Sequence, residues 1–198
     1  MSIFVEFAYI CKMKRALVKQ HIIETASNLF YKNGYNRTGI NEIIKEANIA
    51  KATLYNHFKS KEDICIAYLK YKNQGFTEDL KTFINAKTIG KQKLLGLFDF
   101  LQSFYSSKEF NGCWCINTVS EIPKSNVAIR NEIVAQKEAL IEFISDLVQD
   151  NLKGYTKDES FKIAKQIFIL YEGAISESHL QDNPWPIQSA KSICEQLI

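Results

Sequence analysis

The sequence predicts an all-α protein of about nine helices. Apolar residues recur at helical spacing along almost the whole chain of 198 residues, and no stretch alternates between apolar and polar side chains as a strand would. The chain has only 8 Gly and 3 Pro, and no segment is rich in Gly, Pro or Ser, so long disordered linkers are not expected. With 46% hydrophobic and 24% charged residues, its composition is that of an ordinary globular protein.

Three helices are predicted in the N-terminal third. The apolar pattern of the first begins after Lys14, and Gly34 ends it. Thr38 suits the N-cap of the second helix, and Asn48, which tolerates a left-handed backbone, forms the turn into the third helix at 50–58. Two short helices joined by so short a turn indicate a helix-turn-helix unit.

Six further helices are predicted after residue 59. Ser60 and Thr156 each have an acidic residue three positions later, the pattern of a capping box at a helix start, and Pro186 suits the first turn of the last helix. These helices cover residues 60–84, 91–105, 113–121, 126–152, 156–180 and 185–197. We therefore predict a helix-turn-helix domain, residues 13–59, and a larger helical domain, residues 60–198.

The first stretch of the chain, MSIFVEFAYICKMKR, is unusually apolar. It is too short to span a bilayer, Glu6 interrupts it, and no basic segment precedes it, so neither a membrane span nor a signal peptide is expected. Met13 is a second candidate for the start of translation, because the helical pattern begins directly after it. The 5 scattered cysteines fit reduced thiols, which indicates a cytoplasmic protein without membrane contact.

Basic residues are concentrated near the N-terminus. Residues 1–61 contain ten Lys and Arg against four Asp and Glu, whereas the remainder contains fifteen against eighteen. This asymmetry indicates a polyanionic partner for the N-terminal third.

The third predicted helix carries polar side chains around most of its circumference. At about 100° per residue, Leu54 and Phe58 point toward the first two helices. The opposite face and its flanks hold Lys51, Ala52, Thr53, Tyr55, Asn56 and His57. Each of these could separately belong to the core or to a solvated face. Together, small hydrogen-bonding residues flanked by a cation, a phenol and an imidazole suit a helix in the DNA major groove.

The run from Ile22 to Ile64 resembles the DNA-binding domain of TetR-type transcriptional repressors. The match extends without a gap over IIETASNLFYKNGYNRTGINEIIKEANIAKATLYNHFKSKEDI, and its T-L-Y-x-H-F-x-x-K core is the most specific part. The resemblance implies phosphate contacts by Tyr55, His57 and Lys61. It implies base contacts by Lys51, Ala52 and Thr53, and a contact of Thr38 with the DNA backbone.

Two positions depart from the family pattern. The turn reads Asn48-Ile49-Ala50 where the family usually has Gly-Val-Ser, so the third helix lacks a serine cap, at a cost of about 1 kcal/mol. Gly39 stands where a second Thr or Ser is common.

The second domain resembles the family in its helical layout and in one segment, GCWCINTVSE, which is similar to a Gly-Cys-Leu-Leu-x-Asn-x-x-x-Glu segment of a TetR subgroup. In such repressors the middle helices enclose a small-molecule pocket, and the last two form a four-helix bundle with a second subunit. The resemblance therefore implies a homodimer through residues 161–180 and 185–197. Small residues there (Gly173, Ala174 and Ser178) would allow close packing, either with a second subunit or within one chain.

The function predicted from these features is a dimeric repressor that binds double-stranded DNA at a near-palindromic operator and leaves it when a small-molecule effector binds. We expect a cavity of a few hundred cubic ångströms beside the helix at 60–84. Its candidate lining residues are Tyr68, Phe98, Phe104, Trp114 and Asn117. The motifs of nucleotide-binding, zinc-protease and serine-hydrolase sites are absent, so neither catalytic activity nor a cofactor is expected.

Two alternatives stay open. A protein partner could control DNA binding instead of a small molecule. Cys113, at a predicted helix N-terminus that favours the thiolate, could respond to an oxidant or electrophile, although a buried cysteine packed beside Trp114 is the simpler interpretation. Cys113 and Cys115 are expected to point apart on a helix and to share no metal.

Overall fold

A computed structural model of the protein describes the backbone of residues 3–198 and the side chains of residues 14–198. The described residues form nine α-helices and no strand, which confirms the all-α prediction. The helices are α1 (Ile3–Asn33), α2 (Ile40–Glu46), α3 (Lys51–His57), α4 (Lys61–Asn85), α5 (Lys91–Tyr105), α6 (Trp114–Glu121), α7 (Val127–Asn151), α8 (Lys157–Gln181) and α9 (Trp185–Leu197).

Helix α1 begins at Ile3, so the prediction that the helix begins after Met13 is wrong. No Gly or Pro precedes Gly34, and the backbone therefore meets no residue that would interrupt the helix. The choice between Met1 and Met13 as the translation start falls outside the described residues.

The two predicted turn residues adopt the left-handed backbone that their chemistry favours. Gly34 follows α1 with a φ of 91°, and Asn48 follows α2 with a φ of 50°. The predicted N-cap role of Thr38 is wrong, because Gly39 occupies that position. The Thr38 side chain is buried and donates a hydrogen bond to the Gly34 carbonyl at 2.9 Å, which stabilises the turn between α1 and α2.

The later helix starts follow the predicted capping patterns. The Ser60 hydroxyl accepts a hydrogen bond from the Asp63 amide at 3.0 Å, and the Thr156 hydroxyl accepts one from the Glu159 amide at 3.3 Å. Pro186 lies in the first turn of α9.

The chain divides into two compact units that are not continuous in sequence. The first contains the residues up to Lys72 together with Asn117–Arg130, and the second contains Asn73–Ile116 and Asn131–Ile198. Helices α4, α6 and α7 therefore each contribute residues to both units. The predicted domain boundary at residues 59–60 stays a prediction, and the compact units do not follow it.

Each unit has its own apolar core. In the first, Ile22, Ile43, Leu54 and Phe58 bring α1, α2 and α3 together as a helix-turn-helix unit. In the second, α5, α8 and α9 pack against one another. No helix in the described part of the chain is long and apolar enough to cross a membrane.

Candidate DNA-binding surface and cavity

The outer face of α3 presents the side chains that the sequence suggested. Leu54 and Phe58 are buried against the rest of the first unit, whereas the side chains on the opposite face are accessible. Lys51, Ala52, Tyr55 and Asn56 are exposed, and Thr53 and His57 are half-buried. The arrangement is suited to DNA, and the individual contacts stay predictions.

Two details of this surface differ from a typical helix-turn-helix. Thr38 is completely buried, so its predicted contact with the DNA backbone does not fit its position. Ala50 takes the N-cap position of α3 with an extended backbone (φ −71°, ψ 148°), and no side chain caps the helix there. The missing cap was predicted from the sequence.

Helix α1 adds two cations that were not singled out from the sequence. The Arg15 guanidinium donates a hydrogen bond to the Asn56 carbonyl at 3.4 Å, and Lys19 Nζ lies 5.6 Å from the centre of the Phe58 ring. Burial, together with the charges of Arg15 and Lys19, lowers the pKa of His57. The shift favours the neutral imidazole, which can donate one hydrogen bond. The basic character of the N-terminal third was the only sequence signal for these two residues.

Lys61, the first residue of α4, has its Nζ 4.3 Å from the centre of the Tyr35 ring. Burial lowers its pKa, while the neighbouring Cys65 and Glu121 oppose that shift. Within the same unit, the Glu121 carboxylate accepts a hydrogen bond from the Asn36 amide at 2.6 Å. The Asn36 side-chain amide donates to the Glu121 carbonyl at 2.7 Å. The last residue of α6 is thus held against the turn that precedes α2.

Comparisons with known proteins agree with this geometry. The family model of the bacterial regulatory proteins of the tetR family matches residues 22–68. The Fatty acid metabolism regulator protein of Bacillus subtilis (strain 168) is 27% identical over 169 residues, which cover 84% of each protein. The chain belongs to the TetR family. It is therefore a DNA-binding transcriptional regulator.

Solved structures of other regulators share the fold of this TetR-family protein. SCO4454, a TetR-family transcriptional regulator from Streptomyces coelicolor, matches with a TM-score of 0.81 and 22% identity, over 91% of this chain and 93% of that one. The reduced form of E. coli NemR matches with a TM-score of 0.80 and 17% identity, over 91% and 97%. At sequence identities of 22% and 17%, the similarity to these two structures shows a shared fold and nothing more specific.

The second unit contains a cavity of about 140 Å³. This volume is smaller than the few hundred cubic ångströms expected. Five residues of α4 line the cavity, so the predicted contact with this helix is confirmed. The wall is mostly apolar and aromatic, and its larger apolar side chains are Phe76, Leu80, Phe104, Trp114, Leu140 and Phe143.

The sequence identified only part of this wall. Phe104 and Trp114 line the cavity as predicted, but Tyr68, Phe98 and Asn117 do not. Tyr68 belongs to the first unit, where its ring lies 5.5 Å from that of Phe30, and Asn117 also belongs to the first unit. Phe98 is fully buried, with its ring 5.9 Å from that of Tyr171. A helical pattern identifies inward-facing residues but does not say which of them border a void.

A cluster of polar groups forms one side of the cavity. Lys137 Nζ lies 2.6 Å from a Glu172 carboxylate oxygen and 3.2 Å from Cys113 Sγ. The Cys113 and Cys115 thiols hydrogen-bond each other, so the prediction that they point apart is wrong. The helical geometry behind that prediction does not apply, because Cys113 precedes the first residue of α6. Lys137 and Glu172 come from α7 and α8, and their sequence separation gave no sign of this pairing.

The polar cluster changes the acidity of its members. The hydrogen bond with Cys115 lowers the pKa of Cys113 to about 7, with burial opposing the shift and Lys137 assisting it. The same hydrogen bond raises the pKa of Cys115. Burial disfavours the Lys137 ammonium, but Cys113 and Glu172 outweigh it and raise the pKa of Lys137. Among the described residues, no group of three or more His, Cys, Asp and Glu side chains could hold a metal ion.

Proposed function

We propose that this protein is a dimeric, cytoplasmic repressor that a small molecule bound in the second unit releases from its operator. The observation that carries the proposal is the placement of α4. This single helix begins with Lys61 in the helix-turn-helix unit and contributes Asn73, Phe76, Thr77, Leu80 and Lys81 to the cavity wall. A ligand in the cavity would therefore touch an element that also belongs to the DNA-binding unit. In this proposal the chain acts by binding alone and catalyses no reaction.

The surface of α8 and α9 supports a homodimer. Both helices carry large apolar side chains that are exposed to solvent in the isolated chain. Among them are Ile169, Leu180, Trp185 and Ile193. A Cβ added at Gly173 would meet no atom of the chain within 4 Å, so a partner backbone could approach closely there. Ala174 and Ser178, also proposed for this contact, are buried inside the chain and do not contribute. In such a dimer two copies of α3 would enter successive major grooves about 34–36 Å apart on a near-palindromic operator.

Release requires the ligand to distinguish two states of the protein. The effector must bind the conformation with poor operator affinity more tightly than the DNA-bound conformation, since only this difference shifts the equilibrium. A displacement of α4 that changes the distance between the two α3 helices would be sufficient.

The test uses the full chain and an operator obtained by in vitro selection. Operator affinity is measured by fluorescence anisotropy with and without compounds from a broad panel. We expect at least one compound to weaken operator binding, and we expect Leu140→Trp, which fills the cavity, to abolish its effect while retaining operator binding. Val134→Trp, on the exposed face of the same helix, is the matched control. An operator affinity that no compound changes would favour control by a protein partner.

A second candidate function is favoured by the geometry at Cys113. A thiol with a pKa near 7, with a lysine Nζ 3.2 Å from its sulfur, is suited to react with a small electrophile in the cavity. With an α,β-unsaturated carbonyl, the thiolate would form a bond to the β-carbon. The π electrons would move to the oxygen, and the Lys137 ammonium would return a proton to the α-carbon. The signal would then be a covalent adduct.

Alkylation by N-ethylmaleimide tests this candidate. The rate at Cys113 should rise as the pH is raised through about 7, because the thiolate fraction increases, and should level off above that value. Cys194 is the internal control, since burial raises the pKa of its thiol to about 11. If N-ethylmaleimide still releases the Cys113→Ser variant from the operator, covalent control at this residue is excluded.

A further inference from the structure

The dimensions and the chemistry of the cavity restrict the class of effector. Its volume of about 140 Å³ is below the usual range of drug-sized pockets, roughly 300–1,000 Å³. Apolar cavities of about 150 Å³ accommodate benzene. The space therefore suits a single ring with a small substituent and is too small for a long acyl chain or a dye of several fused rings.

Aromatic side chains form the apolar part of the wall. The Phe76 ring lies 5.1 Å from that of Trp114 and 5.9 Å from that of Phe104, in both cases in an edge-to-face arrangement. All three residues line the cavity, and Phe143 lines it from α7. Aromatic rings gain from edge-to-face and offset contacts beyond the area they bury. Such a wall favours a flat aromatic guest.

Two of the three charged residues of the wall compensate each other, and the third, Lys81, is exposed to solvent with its Nζ 5.6 Å from the centre of the Phe143 ring. Lys137 and Glu172 pair at 2.6 Å, with side chains only 20% and 16% exposed. A charged guest would have to break this pair or lose its own hydration without a counter-ion. The amide of Gln136 is also engaged, since its nitrogen donates to Glu132 at 2.8 Å and its oxygen lies 3.5 Å from Cys115 Sγ. These groups therefore favour a neutral guest.

The Tyr171 hydroxyl belongs to this wall and has no hydrogen-bond partner among the described residues. The side chain lines the cavity and is 1% exposed, and its oxygen makes no hydrogen bond to any described residue. A buried hydroxyl without a partner is destabilising, and a ligand acceptor at hydrogen-bond distance would remove that penalty.

From these four observations we infer that the effector is a neutral molecule with one aromatic ring and one hydrogen-bond acceptor, which accepts a hydrogen bond from the Tyr171 hydroxyl. This inference rests on the proposed function, because it assumes that the cavity holds the effector. It assigns to Tyr171 the role of the residue that distinguishes a carbonyl or ether compound from a hydrocarbon of the same shape. The Lys137–Glu172 pair would exclude charged analogues.

The test compares two isosteric compounds on the full chain without DNA. Acetophenone carries a carbonyl oxygen where α-methylstyrene carries a methylene group. Binding of each is measured by isothermal titration calorimetry to the native chain, to Tyr171→Phe and to Leu140→Trp. We expect acetophenone to bind the native chain and to lose about fivefold to tenfold in affinity with Tyr171→Phe, the usual effect of one hydrogen bond. Binding of α-methylstyrene should be unchanged by that substitution, and Leu140→Trp should abolish binding of both.

Benzoate and benzylammonium should not bind. Binding of either ion with the affinity of acetophenone, or an equal effect of Tyr171→Phe on both isosteres, would overturn the inference. Circular dichroism establishes that each variant is folded, and Tyr171→Phe retains the ring that packs on Phe98. Operator binding is measured separately. Aromatic binding without operator release would refute the proposed function alone, whereas release by another class of compound with no aromatic binding would refute this inference alone.

Discussion

At the scale of single residues, the outer face of α3 separates side chains suited to bases from side chains suited to phosphates. Lys51, Ala52 and Thr53 occupy its first turn, and Tyr55 and His57 follow toward its C-terminal end. Lys61 lies beyond them at the N-terminus of α4, where its charge and the helix dipole both favour an anion. Removal of a phosphate-directed residue and removal of a base-directed residue should therefore have different consequences.

Lys61→Ala tests the phosphate role. Because a phosphate contact carries no sequence information, binding should weaken by a similar factor for every DNA sequence. The slope of log K against log salt should become shallower by about one per subunit, as one counterion-releasing contact is lost. Anisotropy titrations over a range of salt concentrations measure both effects. Lys157→Ala, in the first turn of α8, is the control, and a changed operator preference in Lys61→Ala would contradict the assignment.

Lys51→Ala tests the base role. A lysine in the major groove most often pairs with the O6 and N7 acceptors of guanine, and each such contact contributes about 1–3 kcal/mol of discrimination. The variant should therefore lose its preference at one base pair in each half-site and keep it elsewhere. Repeating the in vitro selection with the variant measures this. An unchanged preference at every position would show that Lys51 does not contact bases.

At the scale of helices, the beginning of α3 has no side-chain cap. Ala50 has the extended backbone of an N-cap residue but no side-chain oxygen to accept a hydrogen bond from the first amides of α3. Ala50→Ser supplies that oxygen without changing the backbone, and should raise the free energy of unfolding by about 1 kcal/mol. Urea denaturation followed by circular dichroism measures the change.

The control for this prediction lies two residues further along. Ala52→Ser places the same hydroxyl inside α3, where serine is a poorer helix former than alanine, and should lower the free energy of unfolding by roughly 0.5 kcal/mol or less. Equal effects of the two substitutions would mean that the stability change does not come from capping.

The helices themselves were predictable to the extent that they depend on local chemistry. Gly34, Asn48 and the Thr156 cap have roles that follow from their own backbone preferences or side-chain oxygens, and the structure confirms each of them. Thr38 was misplaced because a second possible start, Gly39, lies one residue away. Arg15 and Lys19, which lie beside α3, were not distinguished from the other basic residues of α1. The cavity wall depends on how α4, α5, α7 and α8 pack together, and no local pattern encodes that.

Helix α6, like α4, contributes residues to both units. Its first residue, Trp114, lines the cavity, and its last residue, Glu121, holds the turn before α2 through Asn36. If the proposed function holds, Glu121→Ala should leave effector affinity unchanged and reduce the factor by which the effector weakens operator binding. Coupling between two sites is typically worth about 1–3 kcal/mol, and it is measured as the ratio of operator Kd with and without effector. Ser120→Ala, on the same helix, is the control; a ratio unchanged by Glu121→Ala would leave α4 as the only proposed route.

At the scale of the whole molecule, a single DNA-binding unit is not enough for the proposed function. One α3 helix reads a short half-site, and useful affinity for an operator requires two half-sites held at a fixed spacing. The exposed apolar side chains of α8 and α9 form the part of the described surface best suited to bind a second subunit, which would supply the second α3 helix. Ile169, midway along α8, is 68% exposed in the isolated chain.

Ile169→Glu tests this assembly. In the isolated chain the substitution changes a solvent-exposed position, so the free energy of unfolding of the monomer should change by about 0.5 kcal/mol or less. In the proposed dimer the carboxylate would be buried without a partner, a costly arrangement that should dissociate the two subunits. Sedimentation velocity should then report a monomer, and affinity for the two-half-site operator should fall to that for a single half-site. Ile89→Glu makes the same change at a position that is 79% exposed and outside α8 and α9, and should leave a dimer. A stable dimer in the Ile169→Glu variant would mean that the two subunits meet through another surface, and that the spacing of the α3 helices has to be derived from that surface instead.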